Sequence, residues 1–134
     1  MPDHASRSGP APRKVSCFVA LSIRGGTLVA RLTGPTVAER EAMIIAQSIT
    51  GAIEAHRRRL RRFVLDLSDV RIMTSMGLGM CIDVRNRAVE QGAEAIMFGV
   101  RPQLGELMRM MRVDRLYMII QDEAELSRML AASR

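Results

Sequence analysis

The stretch RFVLDLSDVRIMTSMGLGMCIDV, residues 62–84, decides how this chain folds. Within it, Arg62 to Leu67 contains FVLDL, a short β-type run with Asp66 inside it, and Ile72-Met73 carries the apolar pattern on to Thr74-Ser75-Met76-Gly77. After Gly77 the period changes, because Leu78, Cys81 or Ile82, Arg85 and Val89 are spaced for one face of a helix. A strand that ends at Met73 and a helix that starts near Ser75 leave the first helical amides unpaired, and a hydroxyl at the N-cap accepts from one of them. Capping is therefore a sufficient structural reason for Thr74 and Ser75. The same helix start carries roughly +0.5 of an elementary charge and tolerates an anion. A phosphorylated Ser or Thr there adds about −1.5 to −2 charges at pH 7 without unfolding the domain.

Upstream, the β-rich runs Ser16 to Ile23 and Thr27 to Leu32 flank Arg24-Gly25-Gly26, a short turn of the kind that closes an antiparallel hairpin. Gly34-Pro35 ends the second run, and Thr36 with Glu39 forms a capping-box pattern ahead of a helix reaching about His56. Its apolar positions Val37, Ile44 or Ile45, Ile49, Ala52 and Ile53 fall near a period of 3.6. Downstream, Gly92 suits a left-handed helix cap and Glu94 to Val100 reads as a strand. Pro102 opens a third helix with Leu104, Leu107, Met108 and Met111 facing inward. Leu116 to Ile120 reads as a further strand, and Asp122 caps a last helix through Ala124, Leu126, Met129 and Leu130.

The expected order is β-β-α-β-α-β-α-β-α, an α/β fold. It implies a small mixed sheet, with an antiparallel first hairpin and then parallel crossovers, packed with about four helices. Residues 1–14, with three prolines, read as a flexible tail, and 15–134 as one domain. No stretch approaches the ~20 apolar residues that span a bilayer. The N-terminus also lacks the apolar core of a secretory signal, so a cytoplasmic location is expected.

Of the 134 residues, 48% are hydrophobic and 25% charged, the balance of a folded soluble chain. Only 3% are aromatic, which leaves little material for stacking on bases, so direct nucleic-acid binding is not expected. The net charge of +6 is local, since Arg57 to Arg62 contributes five arginines. The run reads first as a solvated helix end leading into a strand, with cations near a helix C-terminus, and second as a patch for nucleic acid or anionic lipid, whose binding would fall steeply with salt. Cys17 and Cys81 have no companion spacing for zinc or a disulfide framework and read as reduced, packed thiols. His4, in the expected tail, and His56, in the basic run, are the only histidines and Lys14 the only lysine, so a Ser/His/Asp triad is poorly supported and no Gly-rich loop with lysine for nucleotide phosphates is present. Asp66, Asp69 and Asp83 match no metal-loop spacing. No enzyme, cofactor or metal is expected.

Asp66 to Ile82, DLSDVRIMTSMGLGMCI, resembles the STAS domains typified by bacterial anti-sigma factor antagonists. There a DLSxV strand precedes an aspartate-serine-serine-glycine-leucine motif at the start of the second helix. GAEAIMFGVRPQLGELMRMMRVDRLYMI continues the likeness, which extends from about Ser16 to Leu130. The resemblance implies a protein-binding role in transcription regulation. The unphosphorylated protein would bind an anti-sigma factor that is also a serine kinase, freeing the sigma factor, and a phosphatase would reset it. By position Ser75 matches the phosphorylated serine. Thr74 stands where aspartate is usual and offers a second phosphoacceptor, and Met76 stands where a second serine is usual. Thr74, Ser75, Met76 and Gly77 are the expected partner-binding residues, with Met73 and Met80 in the core. The alternative implied by the resemblance is a non-switching STAS subunit of a signalling scaffold or lipid transporter.

Overall fold

A computed structural model describes residues 13–15 and 17–132, with side chains over 17–131. The strands are Arg13–Val15 (β1), Val19–Arg24 (β2), Thr27–Leu32 (β3), Thr36–Val37 (β4), Arg62–Asp66 (β5), Ile72–Met73 (β6), Glu94–Phe98 (β7) and Met118–Ile120 (β8). The α-helices are Glu39–Ala55 (α1), Ser75–Glu90 (α2), Pro102–Met110 (α3) and Glu123–Ala132 (α4), with a short 3-10 turn over Val113–Leu116. The alternation read from the sequence is therefore present. β1 is an added edge strand that takes in Arg13 and Lys14 of the stretch expected to be a tail together with Val15 of the expected domain; residues 1–12 lie outside the described residues.

One six-stranded sheet has the order β1-β2-β3-β5-β7-β8, and β4 and β6 form a separate two-stranded ledge. β1, β2 and β3 pair antiparallel, while β3, β5, β7 and β8 are parallel, as the hairpin followed by crossovers requires. The hairpin turns at Gly25, whose φ of 59° favours glycine. Its neighbour Gly26 is packed so closely that an added Cβ would lie 2.8 Å from the Arg59 carbonyl.

Helices α1 to α3 cover one face of the sheet, where Ile45, Ile49, Leu78, Val84 and Met108 pack on Leu28, Phe63, Leu65 and Met97. On the other face Val64, Ile96 and Ile120 meet Leu126, Met129 and Leu130 of α4. β5 is thus buried on both sides, which is why FVL is a continuous apolar run rather than an alternation. α2 ends in a paired left-handed cap, in which Gly92 N donates to Val89 O (2.8 Å) and Ala93 N to Ala88 O (3.1 Å) with Gly92 at φ 86°. Asp122 caps α4 as expected, its Oδ1 accepting from Ala124 N at 3.1 Å.

Several boundaries differ from the sequence reading, each for a local reason. Thr36 does not cap α1, because it lies in β4. Ala38 is the N-cap residue, and Glu41 supplies the reaching carboxylate, its Oε1 accepting from Ala38 N at 3.0 Å. Leu116 belongs to the 3-10 turn, so the last strand starts at Met118. Leu67 and Val100 lie just beyond β5 and β7, and Ser16 lies outside the described residues. In α2 Cys81 is buried, and Val89, expected inside, is exposed; in α3 Met111 is likewise exposed, because the helix has already ended.

Candidate functional site

The start of α2 is fixed by residues nearly forty positions earlier. In the ledge, Val37 pairs with Met73 and Thr36 with Ile72, and Arg71 N and Ile72 N both donate to Pro35 O, at 2.8 and 3.0 Å. Thr74 N then donates to Val37 O at 3.0 Å, and Leu78 N returns to Thr74 O at 3.0 Å as the first helical bond. The strand that leads into α1 therefore also holds the entrance to α2.

Gly77 makes this approach possible. A Cβ there would run into Met73 Cγ and come within 2.7 Å of Val37 O. Only a residue without a side chain fits between the helix and the ledge. Gly79, one position beyond Leu78, has nothing within 4 Å of the equivalent point.

The expected site residues divide by burial. Thr74, Ser75 and Met76 are exposed, while Gly77 and Leu78 are buried. Met73 and Met80 are in the core, and Met76 is 51% exposed. Thr74 occupies the N-cap position but does not cap with its side chain. Its Oγ1 faces Val37 O at 3.4 Å, because the ledge carbonyl lies on that side of the loop. Among the described residues Ser75 has no side-chain hydrogen bond, so its hydroxyl stands free at the positive end of the helix. Sequence reasoning missed Ile72, which is 59% exposed on the same loop. Period-two alternation with the buried Met73 was the available signal.

The loop ahead of the ledge is also fixed. Asp66 Oδ1 accepts from Ser68 N at 3.0 Å and from Ser68 Oγ, and Arg101 Nε donates to Ser68 O at 3.2 Å. Gly99, at φ 75°, brings the end of β7 against Ser68. Asp69 pairs with Arg31 and Asp83 with Arg87, so the three aspartates are apart in role as well as in spacing. Among the described residues no group of three or more His, Cys, Asp or Glu is placed to hold a metal ion.

The basic run lies at the opposite end of β5. Arg61 N and Arg62 N donate to Gly26 O in the hairpin turn, at 2.7 and 3.0 Å. Arg62 contacts Glu94 and donates to Met129 O at 2.7 Å, and Arg57 reaches Glu54 at 3.6 Å. A groove of about 370 Å³ between β2 and α1 is lined mainly by apolar and small side chains such as Leu21, Ile23, Gly51 and Ala52. Neither feature adjoins Ser75. Among the described residues, no helix is long and apolar enough to cross a membrane.

The two free thiols differ sharply. Cys17 is exposed, contrary to the packed position expected, because it precedes β2 rather than lying in it. Cys81 is fully buried against Met73 and the backbone that accepts from Tyr117 Oη at 2.7 Å, and burial pushes its pKa to about 12. The unfolded thiol loses its proton near 9.0. Between these values the folded chain holds more protons than the unfolded one, so stability falls as pH rises from about 9 to about 12. Below pH 9 this group contributes no pH dependence. A thiol reagent at pH 8 should label Cys17 at once and Cys81 only on unfolding, a result mass spectrometry reads directly.

A family model described as STAS domain matches residues 19–126. No curated protein matches the chain by sequence. Among solved structures, an anti-sigma-factor antagonist (STAS) domain protein from Planctomyces limnophilus superposes with a TM-score of 0.75 at 16% identity. The match covers 86% of this chain and 99% of that one. The anti-sigma factor antagonist SpoIIAA in its unphosphorylated form matches with a TM-score of 0.64 at 14% identity, over 92% and 99% of the two chains. The phosphorylated form of the Bacillus protein gives 0.62 at 14%, over 89% and 98%. At these identities the likeness is one of fold.

Proposed function

The chain belongs to the STAS domain family, and from that premise we propose that it is a protein-binding module of the anti-sigma factor antagonist type, switched by phosphate at the start of α2. The observation that carries the reading is the arrangement at that helix start. Ser75 and Met76 are exposed on a turn that Gly77 and Val37 hold in place. A surface already fixed before binding loses little conformational freedom on docking.

In this reading, unphosphorylated protein docks Thr74, Ser75 and Met76 onto an anti-sigma factor that is also a serine kinase, and so releases a sigma factor in the cytoplasm; Gly77, expected in the contact, is buried against the ledge and sets the turn from behind. Met76 supplies an adaptable apolar contact. Phosphate on Ser75, with Thr74 as the alternative acceptor, puts a hydrated dianion into a contact that must lose its water, and binding fails. The helix end stabilises the same charge within the free protein, so the domain stays folded. A phosphatase restores the binding state. Binding of this kind asks for no catalysis, cofactor or metal from this chain.

One observation favours the second reading, a permanent STAS subunit of a signalling scaffold or transporter. Met76 places an apolar side chain where the family pattern has serine, which suits a contact that is never broken. The two readings share a surface and differ in whether it switches.

Titration against the anti-sigma-type serine kinases of the source genome, by calorimetry, tests the surface itself. Met76→Glu should weaken the complex about tenfold or more, since it buries an unpaired carboxylate. Its melting temperature should be unchanged because Met76 is not in the core. Unaltered affinity would move the interface away from the start of α2.

A further inference from the structure

We propose that the groove between β2 and α1, with the basic hollow at its end, binds a single-chain amphiphile whose head is a phosphate monoester. The groove holds about 370 Å³ and the hollow about 350 Å³, and they meet at Ala55 and His56, which line both. Each is within the ~300–1,000 Å³ usual for small-ligand sites. Leu21, Ile23 and Leu28 line the groove from the strands, and Gly51, Ala52 and Ala55 from the helix. At those three positions α1 carries only small residues, and a Cβ on Gly51 would meet nothing within 4 Å, so the space stays open. An apolar chain laid in it removes water from the leucine and isoleucine side chains.

The hollow supplies the opposite chemistry. Arg57, Arg58 and Arg59 line it, all exposed, and Glu54 is the one acidic side chain lining either space. Three guanidinium groups against one carboxylate leave a charge of +2. The C-terminal end of α1, capped at His56, offsets roughly half a charge of that. A phosphate monoester carries about −1.5 to −2 charges at pH 7 and matches what remains. Glu54 is engaged by Arg57 at 3.6 Å, whereas Arg58 and Arg59 make no ion pair among the described residues. Their planar forks suit the oxygens of a phosphate.

The neighbouring side chains do not cancel this charge. The hairpin turn packs on the arginine run, since Arg61 N donates to Gly26 O at 2.7 Å and a Cβ on Gly26 would lie 2.8 Å from Arg59 O. That brings in Arg24, at the end of β2, and Arg61, both exposed and without an ion pair among the described residues. Glu94, level with Arg62 in the sheet, is engaged by it at 3.4 Å. A nucleic-acid backbone would use the arginines and leave the groove empty, and an uncharged lipid would do the reverse. Neither space adjoins Ser75, and the proposal does not depend on the switch.

The test titrates decyl phosphate, decanoate and decanol, each below the concentration at which it self-associates, into the ¹⁵N-labelled full chain observed by NMR. Decyl phosphate should shift the Gly51, Ala52 and Arg58 amides to saturation and bind about tenfold more tightly than decanol and about threefold more tightly than decanoate. Arg58→Gln combined with Arg59→Gln should weaken decyl phosphate about tenfold and leave decanol unchanged, with no change in melting temperature because both side chains are exposed. Gly51→Leu should fill the groove and abolish binding of all three, while the fold persists because leucine is a better helix former than glycine. Ser75→Asp should leave binding as it is, which separates this result from the fate of the switch. The proposal is overturned by decanol or decanoate binding as tightly as decyl phosphate, by shifts that appear only once the ligand self-associates, by undiminished binding in either variant of the site, or by a dimer of this chain that already fills the groove.

Discussion

Gly77→Ala destabilises the domain by about 2–3 kcal/mol, an overpacking effect at the upper end for a single methyl. The reason is that the new Cβ meets a backbone carbonyl, Val37 O at 2.7 Å, as well as the Met73 side chain. A side chain can rotate aside, but the carbonyl is committed to Thr74 N. Relief therefore requires α2 to move off the ledge. Gly79→Ala provides the internal control. It is also helical and two residues away, has nothing within 4 Å, and should stabilise by up to about 1 kcal/mol through helix propensity. Urea unfolding of both variants reads the difference; equal effects would mean that the contact with Val37 does not constrain the helix start.

Ser75→Asp should reduce affinity for the anti-sigma-type kinase partner about 100-fold while leaving the fold intact. Stability is preserved because a carboxylate in the first turn of a helix is favourable by about 0.3–1 kcal/mol. Affinity is lost because the same carboxylate becomes buried and unpaired in the complex, which costs a few kcal/mol. Opposite signs for stability and binding distinguish a switch from simple damage. A permanent subunit whose interface lies elsewhere would bind the variant as it binds the parent chain.

Much of this architecture is legible in residues 62–84, because the change from a β-type run to helical spacing falls at Gly77. Gly92 and Asp122 are likewise readable, since their roles are settled by neighbours within a few residues. The errors arise where distant segments decide. Thr36 resembles a cap until Ile72 pairs with it, and the Thr74 hydroxyl turns to Val37 O because the ledge places that carbonyl beside it. Val89 and Met111 fit their helical stripes by spacing, but Val89 lies in the last turn of α2 and Met111 just after the end of α3, and both are exposed. At the candidate site, the glycine is visible in the sequence and its cause is not. The group that demands it belongs to a strand forty residues away, and no local pattern records that meeting.

Incubation with the cognate serine kinase and ATP, followed by mapping of the modified residue, tests the proposed switch most directly. The account predicts one phosphate, at Ser75 or at its neighbour Thr74, and loss of the complex on its addition. Absence of phosphate from both residues, or a phosphorylated protein that still binds its partner, would contradict it.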